Sequence, residues 1–310
     1  MTKESLLSIS PIDGRYKNKI KELENYFSEF ALIKTRVEVE IRWLLFLLNT
    51  KSFKFLPPIN INQQKKIESI LLNFNLKEAS KVKAIEKITN HDVKAVEVYI
   101  VKQLDSAGLS KLSEFVHICC TSEDINNLSY ALMVERYRTE YLLPNLKSFN
   151  KEINKMAIKW ANISMLSFTH GQKASPTSLG KEFKNFFHRI SFHQNKINES
   201  KQSAKFNGAV GNFNAHHALD SKINWPKITN KFISSFNLEY SLISSQIEFK
   251  DNLVFLLSNV ENLNNVLIDL SKDAWLYISK DYLKQKISSN EVGSVSYTHL
   301  RAHETSLHLV

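Results

Sequence analysis

The sequence predicts an all-α protein: a long-helix bundle with a smaller helical domain at its N-terminal end. Three observations carry this. Only seven glycines and six prolines occur in 310 residues, and residues 59–143 contain no proline; with so few helix breakers, helices run long. Leu253, Leu256, Leu257, Val260, Leu263, Val266, Leu267 and Leu270 recur at spacings of three and four, the stripe of a helix packed along one side. Alternating apolar and polar runs, the mark of half-buried strands, are scarce.

Composition narrows the function. Apolar residues make up 43 % and charged residues 23 %, which excludes a wholly disordered or collagen-like chain. The longest apolar runs, WLLFLL at 43–48 and LVFLL at 253–257, are too short to span a bilayer, and the first residues lack a signal-peptide stretch. The chain therefore reads as cytoplasmic, with no membrane partner. Cys119 and Cys120 are adjacent and have no third thiol to pair with, so they read as reduced thiols. A net charge of +10 asks for an anionic partner. Because the lysines are spread along the chain, with no Arg-rich block and no Cys/His finger, a small anionic substrate fits better than nucleic acid.

Taken in order, the chain divides into a first helical domain at 1–111 and a long-helix bundle at 112–294. Near the start, SPIDGRY (10–16) is a turn that delivers Arg15 and Tyr16, a guanidinium able to fork onto an oxyanion beside a phenol able to donate to it. Within TNHDVKAVEVYI (89–100), Asn90, His91 and Asp92 precede the Val93, Val96, Ile100 stripe of a helix. In the bundle, TSEDINNLSYALM (121–133) opens with Thr121 and Asp124 in a capping pattern ahead of Ile125, Leu128 and Leu132. Thr121 and Ser122 thus stand at a helix N-terminus, where free amides and the helix dipole favour a carboxylate or phosphate; a plain cap is the simpler alternative.

FTHGQKASPTS (168–178) places His170 on a loop, followed by Ser175-Pro176 as the expected start of a helix with Leu179, Phe183, Phe187 and Ile190 on its buried face. Histidine is the side chain best matched to moving a proton near neutral pH, and Gly171 is expected to let the backbone approach a ligand. NGAVGN (207–212) and EVGS (291–294) are the other glycine-bearing polar segments. The texture then changes: VSYTHLRAHETSLHLV (295–310) crowds three histidines, His299, His303 and His308, with a single acidic residue and no thiol, at spacings of four and five, so no metal is expected there.

SPIDGRY, TNHDVKAVE, CTSEDINNLSYALM, THGQKASPTSLGKE, NGAVGNFNAHHA, SQIE and KQKISSNEVGS, in this order, resemble the bacterial-type adenylosuccinate lyase family of the fumarase/aspartase superfamily, from about residue 8 to 294. The resemblance implies a fumarase/aspartase-like helical subunit assembling into a homotetramer, and a cofactor-free β-elimination of fumarate from adenylosuccinate, giving AMP, and from SAICAR, giving AICAR. It implies His170 as the acid that protonates the leaving nitrogen and Ser294 as the base that removes the carbon-bound proton. Arg15, Tyr16, Asn90, His91, Asp92, Thr121, Ser122 and Gln246 match substrate-binding positions. Argininosuccinate lyase is similar in scaffold, but SPIDGRY and TSEDINN favour the purine enzyme. After EVGS the resemblance stops: the family's S-x-M-P-x-K-x-N-P loop and C-terminal domain are not found, residues 295–310 are expected to be a non-native tail, and this 310-residue chain is expected to turn over little, an inactive helical oligomerisation fragment being the alternative to the enzyme reading.

Overall fold

The structure, a computed structural model, describes residues 6–50, 53 and 55–284. Helix α1 (Glu29–Leu48) is capped by Ser28, whose hydroxyl accepts from the Ala31 amide. It is buried on more than one face, as expected of a helix at the centre of its surroundings. Helices α2 (Ile61–Leu72), α3 (Leu76–Thr89) and α4 (Asp92–Ser106) pack around one side of it. Each start is fixed by a side chain: Asn60 and Gln63 form a reciprocal capping box, Asn75 accepts from the Lys77 and Glu78 amides, and His91 accepts from the Lys94 amide. Ile33, Val37, Ile41 and Leu44 of α1 meet Ile67, Val82, Val96, Ile100 and Leu104 in a core confined to residues 33–116.

Helix α5 (Ser122–Arg136) passes through one widened turn, Tyr137–Leu142, into α6 (Leu143–Lys159). An antiparallel hairpin of β1 (Ser164–Thr169) and β2 (Gln172–Ser178) follows, then α7 (Leu179–Glu199). The expected helix start at Ser175-Pro176 is thereby corrected. Pro176 sits in β2 opposite Leu166, and the cap is Ser178, whose Oγ accepts from the Lys181 amide. A two-stranded ribbon leaves one edge of each strand unpaired, so it tolerates a residue with no N–H. Beyond α7 come β3 (Ser203–Ala204), α8 (Asn214–Leu219), α9 (Trp225–Ser234), β4 (Glu239–Tyr240, parallel to β3) and α10 (Asp251–Ser279).

Helices α6, α7 and α10 bundle around Leu146, Ile153, Phe183, Phe186, Ile190, Leu256, Leu263 and Val266, so most of the leucine stripe read from the sequence faces a core, whereas Leu257, also placed in it, is exposed. A further core joins the other side of α1 (Val39, Trp43, Leu47) to α5 and to the aromatic residues Phe206, Trp225 and Phe232. The protein is mostly helical, as the sequence predicts. Among the described residues no helix is long and apolar enough to cross a membrane.

Candidate functional site

The joint between α3 and α4 consists of two residues. Asn90 ends α3 in a left-handed conformation (φ 52°), which asparagine tolerates better than most side chains, and His91 caps α4. This turns the positive end of α4 toward that of α5. The two helix starts touch through side chains: His91 Nε2 lies 3.4 Å from Ser122 Oγ. Arg36 of α1, buried, braces both, donating to Asp92 Oδ2 at 2.6 Å and to Asn126 Oδ1 at 2.9 Å. Burial alone would raise the Asp92 carboxyl, but the Arg36 guanidinium, with the Val93 amide and Arg36 as donors, holds it below the usual carboxylate range. An open groove of about 600 Å³ runs beside Lys83, Lys87, Asn90, His91 and Asp92.

At the α5 start the Thr121 amide donates to Asp124 Oδ2 at 3.0 Å. Asp124 is fully buried and also accepts from the amides of Asn207 (3.2 Å) and Gly208 (3.1 Å), so the NGAVGN loop is docked on this helix end. The amide of Asn127 brackets Lys205, accepting from its N–H at 2.9 Å and donating to its carbonyl at 3.1 Å. On its far side the loop meets 242–246: Asn207 Nδ2 donates to Leu242 O and to Ser244 Oγ. Gly211 lies so close that a Cβ there would fall 2.1 Å from Ser244 O, at φ +79°, so only glycine fits.

Asn90, His91, Asp92, Thr121 and Ser122 are therefore brought together by the fold of one chain. Arg15, Tyr16, His170 and Gln246 are exposed, and no hydrogen bond or ion pair joins them to that cluster among the described residues. Arg15 Cζ stands 5.7 Å from the Tyr16 ring. His170 occupies the tip of the β1–β2 hairpin. Both tip residues have positive φ, 52° at His170 and +74° at Gly171, which is the backbone of a type I′ turn. Gly171 suits that turn: at φ +74° a side chain would be strained, while a Cβ there would meet nothing within 4 Å. Ser294 lies outside the described residues.

The sequence reading missed several residues that build the site. Besides Arg36 and Lys205, His117 Nδ1 lies 2.6 Å from Glu40 Oε1 behind the α5 start. Burial works against a charged imidazole there, but the hydrogen bond and charge of Glu40 outweigh it and raise its pKa above the ordinary histidine value. Trp43 of α1 donates to Ile118 O at 3.0 Å and pins the same loop. The only sequence hint of these partners is the position of Lys205 next to NGAVGN.

The profile of the family described as Lyase matches residues 14–296. Adenylosuccinate lyase of Haemophilus influenzae is 39 % identical over 300 residues, covering 96 % of this chain and 66 % of that protein. Adenylosuccinate lyase of Buchnera aphidicola subsp. Schizaphis graminum is 42 % identical with the same coverage. This chain thus spans about two thirds of the length of the curated relatives it matches. In fold it is similar to a fumarate lyase from Mesorhizobium sp. BNC1, at a TM-score of 0.67 and 18 % identity, covering 84 % of this chain and 57 % of the other. It is likewise similar to the β-carboxy-cis,cis-muconate cycloisomerase of Acinetobacter calcoaceticus, at a TM-score of 0.67 and 16 % identity, over 83 % of this chain and 57 % of that one. Matched over most of its length and sharing the fold of these enzymes, the chain belongs to the lyase family.

Proposed function

We propose that this chain belongs to a carbon–nitrogen lyase that releases fumarate from adenylosuccinate, leaving AMP, and from SAICAR, leaving AICAR. The observation that carries the reading is the pairing of two helix N-termini, α4 and α5, through His91 and Ser122. Free amides and the positive ends of two helices there suit a substrate that bears a phosphate and two carboxylates. Identities near 40 % to adenylosuccinate lyases support that substrate over others of the superfamily, including argininosuccinate. Asn90, His91, Asp92, Thr121 and Ser122 hold the anion, with Arg15, Tyr16 and Gln246 as further substrate contacts. His170 donates a proton to the departing nitrogen and Ser294 removes the proton beside the carboxylate. Negative charge builds on that carboxylate as the proton leaves, and preorganised amide donors stabilise it.

The hairpin presents His170 outward, which suits a site completed between subunits. The same reading gives a homotetramer in the cytoplasm and the division of the chain at 111/112. Calorimetric titration of the purified chain with adenylosuccinate tests the proposal. Binding is expected, weakened about tenfold or more by Thr121→Ala or His91→Ala, since each removes a hydrogen-bonding group facing a charged ligand. A folded chain that does not bind adenylosuccinate overturns it.

A further inference from the structure

Under the α5 start lies an ion pair fully withdrawn from water. Lys205 Nζ stands 2.9 Å from Asp124 Oδ1, with both side chains at zero exposure. The same ammonium donates to the Gly208 carbonyl at 2.9 Å. A buried pair of this kind adds little stability over apolar residues of equal volume, because taking two charges out of water is expensive. Its geometry offers another reason for its presence. One carboxylate gathers the amide of the helix cap, Thr121, and two successive loop amides, Asn207 and Gly208. The ammonium closes the ring through the carbonyl of Gly208, so both ends of that residue's backbone are held.

From below, the loop rests on a group that does not compete for the charge. His216 is fully buried, packed between Phe213 and Trp225, with its ring against Gly208. Neither of its nitrogens has a hydrogen-bond partner among the described residues. Burial, with the nearby charges of His217 and Lys205, keeps it neutral, and Asp124 is the carboxylate that answers Lys205.

We propose that Lys205 and Asp124 form a positioning clamp, which fixes loop 207–211 between the anion-holding start of α5 and the 242–246 segment that carries Gln246. This rests on the functional reading above. Neither residue need touch substrate; both act by holding the backbone that faces it.

The test compares the full chain with Lys205→Met and with the double variant Asp124→Asn/Lys205→Met, which leaves no unpaired buried charge. Three quantities are measured: the thermal midpoint, amide hydrogen exchange across 206–213, and the dissociation constant for adenylosuccinate. The single variant is expected to melt lower. The double variant is expected to regain most of the midpoint, yet to exchange faster within 206–213 and to bind adenylosuccinate about tenfold more weakly or worse. A merely structural pair predicts that binding returns together with stability, and a double variant that melts, exchanges and binds like the unmodified chain overturns the clamp. If the unmodified chain does not bind adenylosuccinate, the functional reading falls, and exchange alone decides: acceleration confined to 206–213 supports the clamp, while unchanged exchange overturns it.

Discussion

His216 and His117 titrate in opposite senses. Burial pushes the His216 imidazole down to about 4, so between that value and the ordinary 6.5 the unfolded chain binds more protons than the folded one. Its contribution to stability is full above pH 6.5 and is lost as the pH falls toward 4. The loss amounts to about 3 kcal/mol, from 1.36 kcal/mol for each pH unit between the two values. His117, held above its ordinary value by Glu40 despite burial, contributes most below pH 6.5 and loses that contribution as the pH rises through its folded value. Urea unfolding from pH 4 to 9 should therefore show His216→Phe flattening the acid limb relative to the unmodified chain and His117→Gln flattening the alkaline one. Neither pair was legible in the sequence: Glu40 and His117, like Asp124 and Lys205, are joined only by tertiary folding and leave no periodicity. What was legible at this scale was local, the Thr121-x-x-Asp124 cap and the polar triplet Asn90-His91-Asp92, because backbone geometry within four residues dictates those residue types.

At the scale of elements, the helices were read well and the β1–β2 hairpin was not. A type I′ turn is usually announced by Asn-Gly; here His170 takes the asparagine position, and Pro176 disguises the second strand as a helix start. The disguise supplies a clean separation of chemistry from structure. His170→Asn restores the favoured turn pair, so it should leave the thermal midpoint unchanged while lowering AMP formation, in a chain competent for turnover, by about a hundredfold or more. A falling midpoint would instead assign His170 a structural role. The widened turn at Tyr137–Leu142 was equally invisible in the sequence. It brings Arg138 against the end of α7, where the guanidinium donates to the carbonyls of Ile197 (3.2 Å) and Asn198 (2.8 Å) and forks onto Glu135. Glu135 also accepts from the Gln202 amide. Glu135→Ala leaves a buried guanidinium without its counter-charge and should cost about 3–5 kcal/mol in urea unfolding. Glu135→Gln, keeping an acceptor for Gln202, should cost less.

Over the whole molecule, α1 supplies residues to two cores and α10 has apolar residues on more than its packed side. Leu256, Leu263 and Val266 are buried against α6 and α7, whereas Val254, Phe255, Leu257 and Ile268 are exposed and Trp275 is 72 % exposed. The stripe read from the sequence took in the exposed Leu257 along with the buried Leu256, Leu263 and Val266, because periodicity reports that a helix has an apolar face and not what covers each residue of it. Leu267, Ile268 and Trp275 line an open groove along α10. Exposed apolar side chains gathered on one helix are characteristic of a protein interface, and a homotetramer would bury them. Sedimentation velocity on the purified chain is expected to show an assembly heavier than a monomer that Ile268→Glu/Trp275→Glu dissociates without loss of helix content by circular dichroism, since a charge at each position must then be desolvated on association. If the chain sediments as a monomer, or the double variant assembles as the unmodified chain does, the exposed face of α10 is not the contact between copies, and a site completed between subunits loses its structural support.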